Sequence, residues 1–196
     1  MSLFRPREAR ALPSSIDPYG VTMRPPYQNY SGTFVNERTV FASSAVLACV
    51  SLIADCISSM PLELLQEGKA RILKQLPTPS LLLQPNPKQS QFDFVNQAVA
   101  TLALHGCSAI YAPRSDAGEL PPELWVLHPN HWKDQLVDGK IIYMMGKEVI
   151  PDEHIRVMNW LILAGMRRGI SPLDSQRNTI GLGIAMDKFL AQFYSE

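Results

Sequence analysis

Pro85-Asn86-Pro87 stands between two stretches of helical periodicity and fixes where each must stop. A residue that precedes proline is pushed out of the helical region, so neither Gln84 nor Asn86 can continue a helix. Ahead of the turn, Ser80 to Leu83 reads as a short apolar helix. Behind it, Ser90 is placed as an N-cap with Asp93 near the positive end, and the helix it opens runs to about His105. Gly106 terminates that helix, because glycine enters the left-handed conformation without a steric penalty. Cys107 to Ala112 then reads as a strand. Leu81 to Tyr111 thus prescribes helix, locked turn, capped helix and strand in that order, and none of its residues looks like catalytic machinery.

The same punctuation divides the rest of the chain. Residues 1–36 carry Pro6, Pro13, Pro18, Pro25 and Pro26 without periodicity of either kind, and read as an arm rather than a domain. From Thr39 the pattern becomes helical, with Val46, Cys49, Val50, Ile53, Ile57 and Met60 sharing one face until Pro61 ends it. Val40 to Ala54 holds no charged residue, yet it is shorter than the roughly 20 apolar residues a bilayer requires, and a buried helix is expected. Leu62 to Leu65 and Arg71 to Leu73 around Glu67-Gly68 read as two short strands. Residues 107–158 look β-rich, with further strands at Leu124 to Leu127, Gln135 to Val137 and Lys140 to Met145. Asp138-Gly139 joins the last two as a hairpin turn, and Val149 and Ile155 to Met158 are expected to extend the same sheet. Ser171-Pro172 opens a final helix, cap followed by proline, expected to run unbroken through Leu173, Ile180, Leu182, Ile184, Met186, Phe189, Leu190 and Phe193. The fold class is α+β: mixed helices, a small mostly antiparallel sheet and a long C-terminal helix. Its parts are an arm over 1–36, a body over 37–170 and a terminal helix over 171–196.

Composition bounds the function. Across 196 residues, 46% of them hydrophobic, 18 Lys and Arg balance 18 Asp and Glu, so no global positive field exists to hold nucleic acid. Cys49 and Cys56 lie about 10 Å apart along a helix, too far for a disulfide, and a reducing site of synthesis fits. The N-terminus has charge but no apolar block, so no secretory signal is expected. The Gly-Lys pairs at 68, 139 and 146 are followed by Ala70, Ile141 and Glu148, which excludes a phosphate-binding P-loop. His128, His131 and His154 are the right residue type for a zinc site, but Pro129 prevents the helical spacing that would aim the first two at one ion. His105 and Cys107 offer a base and a thiol across a helix end, without an evident orienting partner. Arg167 and Arg168, between Gly165 and Gly169, are candidates for contact with phosphate or with a partner's carboxylates, against a solvated basic loop. Gly181 and Gly183 each cost the last helix about 1 kcal/mol relative to alanine and are candidates for close approach of another backbone. Gln176, Arg177 and Asn178 form a polar patch read as the helix's wet face. Phe189 and Phe193 are the candidate contacts with a second subunit.

Several of these motifs occur in an order that resembles the portal protein family of tailed bacteriophages. Ala45 to Leu62, with its Cys49-Val50 and Ile53-Ala54-Asp55 core running into Met60-Pro61-Leu62, is similar to the family's first helix. The Pro-Asn-Pro turn, Phe92-Asp93-Phe94, Leu104-His105-Gly106, Gly169-Ile170-Ser171-Pro172-Leu173, Ile180-Gly181-Leu182 and Phe189 follow in sequence. The similarity covers roughly residues 40–195. It departs from the family where Gly106-Cys107-Ser108-Ala109-Ile110-Tyr111 replaces the common Gly-Asn-Ala-Tyr, and at Ser195-Glu196, where the family's helix commonly continues.

The resemblance implies a wing-like α+β portion of a ring, generally of twelve subunits, at one vertex of the capsid. DNA would pass through the ring during packaging and ejection. The partners implied are further copies of the chain, terminase, head-completion and connector proteins, and capsid protein. The location implied is the virion, with assembly in the host cytoplasm. No enzymatic role, cofactor, metal or membrane is expected. The last helix reaches Glu196 without a terminating signal, so the sequence reads as an N-terminal portion of a longer protein or a naturally shortened copy. The competing readings are an unrelated α+β adaptor module and, more distantly, a small metal or thiol hydrolase.

Overall fold

The structure, a computed structural model, describes residues 35–67, 73–114 and 120–195. The proline-rich arm falls outside these residues except for Val35 and Asn36, and Val35 is already buried in the core. Asn36 and Thr39 exchange side-chain and backbone hydrogen bonds of 2.8 and 2.9 Å, which caps α1 (Glu37–Val40). A separate helix, α2 (Ser44–Ser58), follows, so the helix expected from Thr39 is two elements.

The core face of α2 keeps Val46 and Val50 of the expected one and otherwise differs from it. Its buried positions are Val50, Ala54 and Ser58, spaced by four, whereas Cys49, Ile53, Ile57 and Met60 are exposed. Small side chains let α2 lie close along α4 (Gln91–His105), and Asn96 of α4 donates to the Asp55 carboxylate at 2.8 Å. Hydrophobicity alone points to the larger residues, and the packing selects the smaller ones.

Between these helices, β1 (Leu64–Glu67) and β2 (Leu73–Leu76) pair as an antiparallel hairpin, and Gly68-Lys69 falls outside the described residues. Helix α3 (Ser80–Leu83) leads to the Pro-Asn-Pro turn. There the Asn86 side chain, 2% exposed, donates to the Leu124 carbonyl at 3.0 Å and accepts from the Lys88 N–H at 3.0 Å. Leu124 N–H donates in turn to the Pro85 carbonyl at 2.7 Å. The turn is therefore docked on a distant segment as well as locked by its prolines.

Helix α4 matches its expected bounds. Ser90 Oγ accepts from Asp93 N–H, the Asp93 carboxylate accepts from Ser90 N–H, and Gly106 takes φ 70° at the C-terminal end. The Ser90 hydrogen bonds hold the Asp93 carboxyl below its ordinary range.

The expected single sheet is two sheets. In one, β3 (Cys107–Tyr111) lies between β4 (Trp125–Leu127) and β8 (Ile155–Asn159); in the other, β5 (Trp132–Val137), β6 (Lys140–Met145) and β7 (Glu148–Ile150) form a meander. Every pairing is antiparallel. Asp138 at φ 50° and Gly139 at φ 74° form the predicted hairpin turn, and Gly146 at φ 64° turns β6 into β7. β8 leaves the meander through a 3-10 turn, Asp152–His154, and adds to β3 instead. The two sheets enclose Cys107, Ala109, Trp132, Ile150 and Ile155. A second core gathers Val35, Val40, Val50, Leu104 and Leu173 among the helices.

The terminal helix is broken. α5 (Pro172–Ser175) ends at Gln176, and α6 (Arg177–Phe193) starts anew. Ser175 Oγ donates back to the Ser171 carbonyl at 2.8 Å, a side-chain bond of the kind that bends helices.

Helices and sheets meet where Gly106 and Gly169 cross. A Cβ on Gly106 would fall 2.0 Å from the Ile170 carbonyl oxygen, and one on Gly169 would fall 2.0 Å from the Gly106 oxygen. Alanine at Gly106 would clash with backbone and also strain a positive φ, so G106A is expected to cost about 3 kcal/mol or more. In contrast, a Cβ on Gly183 meets nothing within 4 Å, and G183A should stabilise α6 by up to about 1 kcal/mol. Urea unfolding of both variants against the parent chain measures the two signs.

Candidate functional site

Among the described helices, α2 and α6 both expose large apolar residues, and on α6 they form a stripe. On α6, Leu182, Met186, Phe189, Leu190 and Phe193 recur at intervals of three and four and lie 45–67% exposed. Gly181 and Ile184 face the body and are buried, so the helix divides into a core face and an apolar outer face. Phe189 and Phe193 stack with ring centroids 6.4 Å apart, and Tyr194 meets Phe193 edge-on at 5.5 Å. Gly183 borders this stripe and opens to free space. Of the two candidate glycines, Gly181 packs within the chain and Gly183 faces outward.

A second apolar feature follows β8. Trp160, Leu161, Ile162 and Leu163 are 45–58% exposed, on a loop whose base is closed by backbone bonds from Trp160 to Gly106 and from Ile170 to Leu161. Asn159 Oδ1 accepts from Gly169 N–H at 2.9 Å and completes the closure. The loop's return limb carries Arg167 and Arg168, and both reach Asp134 of β5. Arg167 Nε lies 2.9 Å from one carboxylate oxygen, and Arg168 Nε bonds the other. Arg168 also lies over the Trp132 ring, 4.0 Å from its centroid, and donates to the Trp132 carbonyl at 3.2 Å. The candidate phosphate contacts therefore have a carboxylate of their own chain as partner, and their joint surplus is one positive charge.

The histidines separate into different roles. His154 meets Tyr111 edge-on at 6.5 Å, far along the chain from the turn that brings the His128 and His131 rings to 5.3 Å. Among the described residues, no three His, Cys, Asp or Glu side chains are placed to hold a metal ion. Cys107 is buried between the sheets, and burial pushes its thiol up, away from the thiolate a nucleophile needs. His105 instead meets Glu37, which also binds His128. Sequence reasoning missed both Asp134 and Glu37. Their partners are distant in sequence, and no local pattern marks them. Arg177 of the polar patch pairs with Asp174 across the helix break.

Residues 44–196 match the family described as Phage portal protein. The chain belongs to the phage portal protein family. It is 30% identical over 184 residues to a probable portal protein of Streptomyces phage phiC31, covering 84% of this chain and 39% of that protein. Its fold is similar to the neck of an empty gene transfer agent particle computed with C6 symmetry, at TM-score 0.63 and 20% identity over 81% of this chain and 44% of the other. A neck of the native particle computed with C12 symmetry gives 0.62 at 18% identity, covering 92% and 48%. A portal protein of the HK97 family from Corynebacterium diphtheriae gives 0.52 at 12% identity, covering 76% and 46%. The chain thus spans less than half the length of each of these proteins.

Asp134 is the node that anchors the apolar loop to the meander. Replacing it with alanine leaves two partly buried guanidinium groups unpaired, and D134A is expected to lose about 2 kcal/mol. Limited proteolysis should then cut within Trp160 to Arg168 faster than in the parent chain, and chemical denaturation measures the loss.

Proposed function

We propose that this chain forms the wing-like α+β portion of a portal ring, the structural subunit at a capsid vertex through which DNA is packaged and ejected. The observation that carries the reading is the aromatic stripe of α6. Portal-family sequence over 44–196 is joined here to an exposed apolar helix face with no partner of its own within the described chain. Contiguous apolar surface of this kind marks a site of protein contact.

A cyclic ring uses heterologous contacts, so each subunit needs two unlike surfaces that complement each other. The α6 stripe with Phe189, Phe193 and Gly183 serves as one of them, in a ring of about twelve copies, the number of subunits in the symmetry computed for one related neck. Arg167 and Arg168 keep a surplus positive charge beside the apolar loop, where a partner's carboxylate or a phosphate would find a counter-charge. Terminase docking before genome entry and replacement by head-completion proteins afterwards belong to the same proposal, as do contacts with capsid protein and assembly in the host cytoplasm. The chain's role is to build and position the ring, and the proposal assigns it no catalysis.

The test is molecular mass in solution by light scattering, on this chain and on a full-length portal chain that contains it. Phe189→Asp together with Phe193→Asp should reduce ring formation at least tenfold in protein concentration, while the circular dichroism of the β-rich body is preserved. Rings that form as readily with both aspartates would remove α6 from the interface. G183A, stabilising for the isolated helix, should be neutral or unfavourable for assembly if a neighbour's backbone comes close there.

A further inference from the structure

Two exposed apolar surfaces of opposite charge lie at the two ends of α4. One is the Trp160 to Leu163 loop, whose base is pinned to Gly106 just past the C-terminal end of the helix. On its return limb Arg167 and Arg168 share one carboxylate, Asp134, and keep a surplus of positive charge. The other surrounds the N-terminal end. Gln91 Nε2 donates to the Met60 carbonyl at 3.4 Å and Asn96 donates to Asp55 at 2.8 Å, so the end of α2 lies beside the start of α4. Ile57, Met60, Leu62 and Phe92 are exposed there. Asp55, Glu63 and Asp93 are exposed with them. From Val40 to Glu67 and from Gln89 to Pro113 the chain holds no lysine or arginine. Among the described side chains the adjoining strand and turn supply Lys74 and Lys88, two cations against three carboxylates, and the balance is negative.

With 15 residues, α4 is about 22 Å long at 1.5 Å per residue, so neither surface covers the other within one chain. A contact between unlike surfaces at opposite ends of a subunit is head-to-tail. Each pair of copies then leaves one surface of each kind free, and the contact repeats until a ring closes. Opposite charge brings loop to face, and it disfavours loop against loop or face against face, where like charges would meet. The loop also shares its end of the subunit with the root of the terminal helices, because Ser171 Oγ donates to the Leu104 carbonyl at 3.2 Å.

We propose that the Trp160 to Leu163 loop of each copy docks on the Met60, Leu62 and Phe92 face of the next copy, with its arginine surplus turned toward Asp55 and Glu63. The contact presupposes the ring proposed above and supplies the surface that complements the loop end of the subunit. Burial of the loop's large side chains against that face provides the attraction, and the charges set which surfaces meet. The face is built by elements distant from the loop in sequence, so the two surfaces can be altered separately.

The test is cysteine cross-linking in a full-length portal chain that contains this one. Cys49 and Cys56, exposed on α2, are first replaced by serine, and Cys107 is buried. Phe92→Cys is then combined in turn with Leu161→Cys, Ile162→Cys and Leu163→Cys, all at exposed positions, and the rings are treated with a short bis-maleimide. At least one pairing should give a ladder of covalent multimers on a denaturing gel, and each new cysteine alone should give none. Covalent dimers from Phe92→Cys alone, or no ladder from any of the pairings in rings that light scattering shows intact, would overturn the docking and leave the ring reading standing. A parent full-length chain that forms no ring would overturn both. Charge is tested at Glu63, which is exposed. Glu63→Lys should raise the protein concentration needed for ring formation several-fold, and Glu63→Gln should raise it less. Rings that form as readily with Glu63→Lys as in the parent would overturn the choice of this face.

Discussion

The crossing of Gly106 with Gly169 and Ile170 is the contact on which the rest of this fold depends. Gly106 ends α4 in a left-handed conformation, accepts a hydrogen bond from Trp160 and lies so close to the returning chain that no side chain fits. The helical core and the two-sheet core are joined at that point. Leu104 belongs to one and Cys107 to the other, with Gly106 between them. Any displacement here would tilt α4 against the sheets and carry α5 and α6 with it, because Ser171 Oγ bonds the Leu104 carbonyl beside the same crossing.

Hydrophobic burial fills the two cores, and charge settles how they are held together. Asp134 anchors the return limb of the Trp160 loop, and Glu37 anchors the first helix. Each carboxylate serves two cations or imidazoles rather than one. Pairs of this type add little as isolated surface bridges, yet they become specific when they are partly desolvated and removal of one partner leaves charge behind. Their value here is positional: they tie the first helix and the Trp160 loop to parts of the chain distant in sequence.

What could be read from the sequence follows how local each determinant is. Ser90, Asp93 and Gly106 encode both ends of α4 within one turn of each end, and the structure keeps those ends. Asp138-Gly139 encodes a hairpin through its own tolerance of positive φ. The buried face of α2 was legible only in part: Val46 and Val50 pack in the core as expected, whereas Ala54 and Ser58 were chosen by the approach of α4 and not by their own hydrophobicity. The division into two sheets was not legible either, since β8 pairs with β3 across the whole meander. The α6 stripe was legible as an excess of apolar residues, and Phe189 and Phe193 are indeed exposed. Asp134 and Glu37 had no local signature at all. The portal resemblance came from the order of several short motifs, some at helix ends and turns and others, such as Ile53-Ala54-Asp55 and Ile180-Gly181-Leu182, inside helices.

The meander and the central sheet also differ in how far the chain must travel to build them. β5, β6 and β7 are joined by two-residue turns, whereas β8 reaches β3 only after the chain from Tyr111 to Ile155 has been laid down. Closing a long loop costs more entropy than closing a short one, and contacts between distant segments slow folding. The meander therefore closes the shortest loops in the β-rich body, and the pairing of β8 with β3 closes its longest. The topology thus ties the central sheet together by its most distant strands, while the meander turns back on itself within a few residues at each turn.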